Sequence, residues 1–385
     1  MHGLMTELAS RHSVSVLSLQ SVPDERALAA TREYCEEVVV VPAPGLSLPS
    51  MGKRLLQARS LLSLGSFEAL SHAAKGFSTE LRRLLATRRY DAVTFEFAQM
   101  APYRTALGGK KVERGPVFVL DEHNIEYEIL RRTASGRASL PRRAYNALNW
   151  RKLRSEEQQA WRSFDGIAVT SGHDQALLLR DLPETRTAVV PNGVDLDEFR
   201  PRTGAPPPEP NTILFFGAIN YFPNTDAVKF FIDEVLPLVL VRCPGAKLRV
   251  VGHTPPQLLS LAGPNVEMAG FVEDIRVAIE RAAVVIAPLR VGGGTRLKIV
   301  EAMAMGKAIV STRQGAEGLD LTHGRDVLLA DDAASFAEQV LRALRDPGLS
   351  GELGKAARSL AESRYGWRAA VQRLERFYDE LRGSR

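Results

Sequence analysis

The strongest constraint on this chain is an alternation. Short apolar, β-branched runs are separated by stretches of helical periodicity along its whole length. Strands joined through helices require right-handed crossovers, and crossovers build parallel sheets with helices on both faces, an α/β architecture. The runs predict strands at Ser13–Leu19, Glu37–Val41, Ala92–Glu96, Val117–Asp121, Gly166–Thr170 and Ala188–Val190. A second set is predicted at Ile213–Gly217, Lys247–Gly252, Val266–Met268, Val284–Pro288, Ala308–Thr312 and Asp326–Ala330. Between the sets lies Phe199–Asn211, where five of thirteen residues are proline. Proline removes an amide donor and stiffens the chain, so this segment reads as a surface connector between two sheets. The predicted division is 1–191 and 192–366, followed by a terminal segment, 367–385. In Trp367–Leu381, Val371, Leu374, Phe377 and Leu381 recur at helical spacing, so this helix needs an apolar surface to sit on.

Composition removes several classes of function. A chain of 385 residues is long enough for two full cores, and its two cysteines, Cys35 and Cys243, offer neither a disulfide framework nor zinc-ligand spacing. Fifty basic against 45 acidic residues leave a net charge of only +5, too mild to argue for nucleic acid as a partner. No apolar run approaches the ~18 residues a membrane span needs. Met1–Leu19 carries Glu7 and alternates apolar with polar residues, unlike a signal peptide. A cytoplasmic setting is therefore expected. One segment is strongly basic: residues 131–154 hold eight Lys or Arg and no acidic residue, with Leu140, Tyr145, Leu148 and Trp150 interleaved. It is either a solvated helical face or a docking surface for an anionic membrane, at the inner membrane face.

The front of the chain is unusual for this architecture. Leu4–Arg11 reads as the last turns of a helix, where an α/β domain would open with a strand and a glycine-bearing turn. The first strand of the first domain is thus expected to be missing, leaving an unpaired position in its sheet. A start lying upstream of Met1 is the favoured explanation.

The most informative stretch is Ala287–Thr312 (APLRVGGGTRLKIVEAMAMGKAIVST). A buried strand ends near Leu289, and Gly292, Gly293 and Gly294 follow. Thr295 sits where an N-cap belongs, and a helix is predicted from Arg296 to about Met305, stopped by Gly306. Strand, glycine turn and helix N-terminus together make an anion site, because unpaired amides and the helix dipole both favour negative charge. Arg296 and Lys298 add positive charge there. Glu301 lies one turn on, where a carboxylate suits a ribose diol. Neither a GxxxxGK[ST] loop nor a GxGxxG fingerprint occurs, which disfavours a dinucleotide-dependent oxidoreductase.

Four stretches together resemble the retaining GT-B glycosyltransferases of the group 1 (family 4) type, and in particular the exopolysaccharide-type sugar transferases. They are Val190–Phe199 (VPNGVDLDEF), Ile213–Pro237, the glycine-turn segment and Gly315–Gly318 (GAEG). The resemblance implies two facing Rossmann-like domains, an acceptor site in the first, a nucleotide-sugar site in the second, and a last helix crossing back onto the first. The implied activity is metal-independent, retaining transfer of a hexosyl group from a UDP- or GDP-sugar to a polysaccharide or glycolipid hydroxyl. No cofactor is required. The family's paired glutamates fall here on Gly293 and Glu301, so donor hydroxyls are expected to meet amides of Gly292–Thr295. Its loop Arg and Lys fall on Ala218 and Asn224, within Gly217–Asn224, where Asn220 and Asn224 offer neutral hydrogen bonds and Arg296 and Lys298 supply charge.

Within Val117–Glu126 (VFVLDEHNIE), His123 follows a strand end, where ligands of open α/β sheets bind. The resemblance places His123 near the reacting sugar carbon, and His123 and Glu301 are the expected catalytic pair. Glu96, at another strand end, and Asn124 are candidate acceptor contacts. Gly270–Asp274 is either a simple turn or a base contact through Phe271 and Val272. Asp195 and Asp197 follow an Asn–Gly turn and read as structural rather than metal-binding. The alternative functions are a nucleotide-sugar-binding protein impaired in transfer, for which Gly293 and Ala218 leave room, and a nucleotide-sugar epimerase.

Overall fold

The computed structural model describes residues 2–63, 65–108, 115–134, 140–202, 204, 206–294 and 296–384. The chain forms two compact units, Met1–Val190 with Val371–Arg385, and Pro191–Ala370.

The second unit holds six parallel strands: β7 (Thr212–Phe216), β8 (Lys247–Val251), β9 (Val266–Gly270), β10 (Val284–Ala287), β11 (Ile309–Ser311) and β12 (Leu328–Leu329). Their order is β9-β8-β7-β10-β11-β12, so the chain winds outward from β7 in one direction and then returns to β10 to wind in the other. Such a sheet places its crevice where the order reverses, between β7 and β10. Every residue of β7 and β10 is buried, as expected of central strands covered by helices on both faces. Covering helices bring matching stripes. In Ala333–Arg345, Phe336, Ala337, Val340 and Leu341 point inward, and Asp332 caps the first turn by accepting from Ser335 N.

The first unit holds β1 (Ser15–Gln20), β2 (Glu37–Pro42), β3 (Ala92–Glu96), β4 (Val117–Glu122), β5 (Gly166–Val169) and β6 (Thr187–Val189). The sequence predicts one sheet here, but the strands pair in two pieces: β1-β2, and β3-β4-β5-β6, all parallel. Among the described residues no strand lies between β1 and β3. A cavity of about 410 Å³ occupies that position, lined by Ser15–Leu19 of β1 and Ala92–Glu96 of β3. The expectation of an unpaired sheet position therefore has a definite location.

Helix Trp367–Gly383 carries the chain into the first unit, burying Val371, Leu374, Phe377 and Leu381 to 3% exposure or less. A Cβ on Gly166 would lie 2.5 Å from Phe377 Cζ, so only glycine lets the helix seat against β5. The basic 131–154 segment is largely helical, within Glu126–Ala134 and Leu140–Ser163. Arg131 and Arg132 bond Glu128, Arg154 bonds Asp181, and Lys152 donates to the carbonyls of Ser60 and Ser63. Arg151 donates to Ala147 O, so these five cations are engaged by the protein itself, which a count along the sequence does not reveal. Among the described residues no helix is long and apolar enough to cross a membrane.

Candidate functional site

In the second unit the loops after β7 and β10 diverge at the point where the strand order reverses, and they carry most of the residues singled out above. Gly292 and Gly294 take left-handed backbone angles, with φ of 101° and 78°. At Gly292 a side chain would also meet Arg296 Nη2 at 2.9 Å and Pro223 at 3.1 Å. The glycine turn is therefore a steric requirement as well as a conformational one. The helix that follows spans Leu297–Ala304, one residue later than the sequence predicts, with Arg296 as its N-cap. Arg296 has no side-chain acceptor to offer the first amides. It folds back instead, donating Nη1 to Gly293 O at 2.7 Å. Thr295 lies outside the described residues.

Lys298 is the centre of this crevice. Its ammonium is nearly buried, 3.9 Å from the centroid of the Phe215 ring, and donates to Asn224 Oδ1 at 2.8 Å. Asn224 Nδ2 in turn donates to Ala218 O at 2.8 Å. The amide thus orients by its own bond to the backbone, and Lys298 ties the β10 side of the crevice to the β7 side. Burial, then the charge of Arg296, pushes the Lys298 pKa down to about 7, with Glu301 opposing. Glu301, one turn along, is half-buried. Burial raises its pKa, Lys298 works to lower it and Glu198 to raise it.

Gly217 and Gly252 end β7 and β8, and a Cβ at Gly252 would collide with the Gly217 carbonyl oxygen. Two backbones meet there, which fixes the floor of the crevice. Asn220 is exposed, with its neighbour Ile219 fully buried as an anchor. Beyond β9, Phe271 is 67% exposed and stacks on His253, ring centroids 5.1 Å apart at 14°. Val272 packs against the core beneath it. Gln314, after β11, donates to Gly292 O at 2.8 Å and to Glu317 at 2.9 Å, bracing the glycine turn from the other side. Asp195 Oδ1 accepts from the amides of Asp197 and Glu198, both at 2.9 Å, so it closes a turn.

In the first unit β3 and β4 bring Glu96 and Asp121 into register. His123 Nε2 lies 2.7 Å from Glu96 Oε2, and its ring stacks on Phe97 at 4.4 Å. Phe97 has φ of 69°, an uncommon strain for an aromatic residue that turns its ring onto the imidazole. Asn124 donates instead to Glu126, at 3.3 Å. Burial works to lower the His123 pKa, but the bond to Glu96 and the charges of Asp121 and Glu96 outweigh it, and the net shift is upward. Asp121 is 4% exposed and its Oδ1 has no hydrogen-bond partner among the described residues. Burial, then the charge of Glu96, lifts its pKa from 3.8 to about 7, against His123. Ligand-type atoms of Glu96, Asp121 and His123 lie within 4.8 Å of one another, so a cation would fit only by displacing the His123–Glu96 bond.

This cluster makes stability depend on pH with a known sign. Between about pH 4 and 7 folded Asp121 keeps a proton that the unfolded chain has lost, so its contribution is present at low pH and falls as pH rises. Asp121→Asn is expected to make the decline in stability from pH 5 to 7.5 shallower. Glu122, lifted to about 8 by burial, retains part of it. Urea unfolding of both chains at the two pH values measures the difference; equal slopes would contradict the assignment.

Two family descriptions match. "Glycosyl transferases group 1" covers residues 210–346, and "Glycosyltransferase Family 4" covers residues 1–198, more than half the chain. The chain belongs to glycosyltransferase family 4. Among curated relatives of this family 4 protein, the phosphatidyl-myo-inositol mannosyltransferase of Mycobacterium tuberculosis is 31% identical over 209 residues, 51% of this chain and 54% of that protein. The D-inositol 3-phosphate glycosyltransferase of Corynebacterium jeikeium is 25% identical over 252 residues, 58% of this chain and 59% of that protein. The chain thus spans little more than half the length of these relatives. Among solved structures, a sucrose-phosphate synthase from Thermosynechococcus elongatus superposes with a TM-score of 0.72 at 17% identity, covering 99% of this chain and 92% of that one. HepE of Anabaena, solved with UDP and glucose, has a TM-score of 0.64 at 14% identity, covering 98% and 95%. These likenesses establish the GT-B fold with its two Rossmann-like domains.

Some features of this family 4 chain escape a reading of the sequence. His253, Gln314 and the His123–Glu96 pair bring together residues far apart in the chain. For the pair, a signal was available in two acidic-to-polar strand ends of adjacent parallel strands. Nothing in the spacing marks His253 as the partner of Phe271.

Proposed function

We propose that this protein is a retaining glycosyltransferase that moves a sugar from a nucleotide-sugar to a hydroxyl of a glycan or lipid-linked acceptor. The observation that carries it is the buried Lys298 ammonium held by Asn224 at the helix N-terminus where the sheet order reverses. That point combines helix-end amides, a desolvated cation and a glycine turn, which suits a diphosphate. In this reading Lys298 and the amides around Gly292–Gly294 stabilise the departing diphosphate, worth most because the charge sits in a low-dielectric crevice. Arg296 shapes the turn rather than contacting phosphate directly. Glu301 accepts from the ribose, and Gly217, Asn220 and Asn224 line the phosphate side. With no protein base assigned opposite the reacting carbon, a leaving phosphate oxygen takes the acceptor proton, consistent with same-face substitution. His123 has a catalytic role, its proton fixed by Glu96, and Glu96 and Asn124 serve the acceptor.

Phe271, exposed and stacked on His253, is read as the platform for the base. Aromatic stacking on a base contributes about 1–3 kcal/mol, so Phe271→Ala is expected to weaken UDP binding by about fivefold to 150-fold. Titration calorimetry measures it, and unchanged affinity removes Phe271 from the site. HepE, solved with UDP, supports a uridine nucleotide as the first donor to try. A membrane-surface acceptor draws support from helix Ser50–Leu62, where Met51, Leu55 and Leu62 are exposed beside Lys53, Arg54 and Arg59. Lys152 and Tyr145 of the basic segment bond this helix.

The deciding experiment offers UDP- and GDP-sugars with lipid-linked and glycan acceptors and measures nucleoside diphosphate release and glycosylated product. No release from any donor would sink the proposal. Release without acceptor, giving an altered donor or free sugar, would favour an epimerase.

A further inference from the structure

We propose that Glu317 and Gln314 form a positioning relay that aims the Gly293 amide at a bound diphosphate, an assignment resting on the reading of this crevice as a nucleotide-sugar site. Both ends of the glycine turn are fixed to one helix, Phe222–Phe230. Before the turn, Arg290 donates to the two carboxylate oxygens of Asp226, at 2.8 and 3.1 Å. After it, Lys298 donates to Asn224. What stays adjustable is the orientation of the peptide planes between the glycines. Turning over the plane between Gly292 and Gly293 changes one ψ and one φ, and glycine tolerates either sense at both. The sense matters, because a trans peptide carries its N–H and C=O in opposite directions. One orientation offers an anion a donor; the other offers a carbonyl oxygen, which repels it.

Gln314 fixes the sense of this plane. It follows β11, on the flank of β10 away from β7. Its Nε2 donates to Gly292 O at 2.8 Å, so that carbonyl is drawn toward the β11 side. The Gly293 N–H therefore points the other way, toward the crevice between β7 and β10. Among the described residues that amide has no acceptor.

Glu317 in turn fixes the sense of the Gln314 amide. Its Oε2 accepts from the same Nε2 at 2.9 Å. An ionised carboxylate only accepts, so the NH2 group must face it. Reversed, the Gln314 oxygen would face both the carboxylate and the Gly292 carbonyl. The loop that carries the relay is held against the core of the sheet. Gly315 N donates to Thr312 Oγ1 at 2.8 Å, and Ala316 N to Thr312 O at 3.0 Å. A Cβ on Gly315 would lie 2.4 Å from Ala287 O, at the end of β10, so only glycine allows this approach. The GAEG turn thus has a task at the donor site: it seats Glu317 where one amide needs orienting.

The test is titration calorimetry of the 385-residue chain and its variants with inorganic pyrophosphate. The unaltered chain is expected to bind it. Gln314→Met, similar in size but unable to donate, is expected to bind about tenfold more weakly, the scale of one hydrogen bond to a charged group. Gln314→Glu should lose at least as much, since its carboxylate would face Glu317 and Gly292 O. Melting without ligand, followed by circular dichroism, checks that each variant folds. Glu317→Ala should lose more affinity with Gln314 present than in the Gln314→Met background, because Glu317 acts through that amide. A merely structural role for either residue would leave no such coupling. No binding by the unaltered chain, undiminished binding by the folded Gln314 variants, or equal losses from Glu317→Ala in the two backgrounds would each overturn the relay. Sugar transfer is not measured here, so its absence, which would sink the proposed function, is a separate result.

Discussion

Lys298→Met is expected to lower sugar-transfer turnover by about 10²–10³-fold while leaving the fold intact, the scale seen when one preorganised donor to a developing negative charge is removed. The side chain sits against Phe215 in a nearly closed environment, where methionine has a similar shape and carries no charge to desolvate. The sign of the accompanying pH effects follows from the Lys298 pKa. The folded protein holds its proton only up to about pH 7, and the unfolded chain up to about 10.5. Across that window the unfolded state binds more protons, so stability rises with pH, and the methionine variant should lose that rise. Binding of UDP has the opposite demand. A diphosphate favours the protonated ammonium, so above about pH 7 binding takes up a proton and affinity falls as pH rises. Calorimetry of UDP at pH 8 in two buffers of different ionisation enthalpy reads that uptake directly. Proton uptake by the wild type that persists in Lys298→Met would place the phosphate elsewhere.

Phe377→Ala should destabilise the first unit by about 3–5 kcal/mol, the usual cost of deleting a buried aromatic side chain. Phe377 is 3% exposed and closes against Gly166, with Leu381 beside it and the Tyr378 hydroxyl 2.6 Å from Thr94 Oγ1. The loss is expected in the Met1–Val190 unit, because Gly166, against which it packs, is in β5. Calorimetric scans should show that unit melting lower while Pro191–Ala370 is unmoved. A uniform shift of the whole chain, or none, would contradict the packing.

These two residues also mark what a sequence can reveal. Lys298 and the glycine turn are legible because their chemistry is local: φ-permissive residues, a helix start and a charge lie within a few positions. The apolar stripe through Phe377 is legible for the same reason, as helical spacing within one element. What that stripe covers is not. Glu96 and His123 meet only because β3 and β4 stand in register, and His253 meets Phe271 only because β8 and β9 are neighbours. Asn224 is read from the sequence as a neutral substitute for a missing charge, but it orients the lysine that carries the charge. The basic 131–154 segment misleads in the opposite way, since Glu128, Asp181 and the Ser60 and Ser63 carbonyls, which engage Arg131, Arg132, Arg154 and Lys152, all come from outside it. The break in the first sheet is anticipated, but its place between β1 and β3 follows only from the pairing.

The return of Val371–Arg385 to the first unit has a consequence for how the molecule is made. On a ribosome the first 190 residues emerge long before the helix that covers Gly166 and Thr94. Pro191–Ala370 is continuous in the chain and can finish folding while its predecessor still waits with an uncovered apolar surface. The unit translated first is thus the one completed last, and for that interval the nascent chain depends on whatever shields that surface.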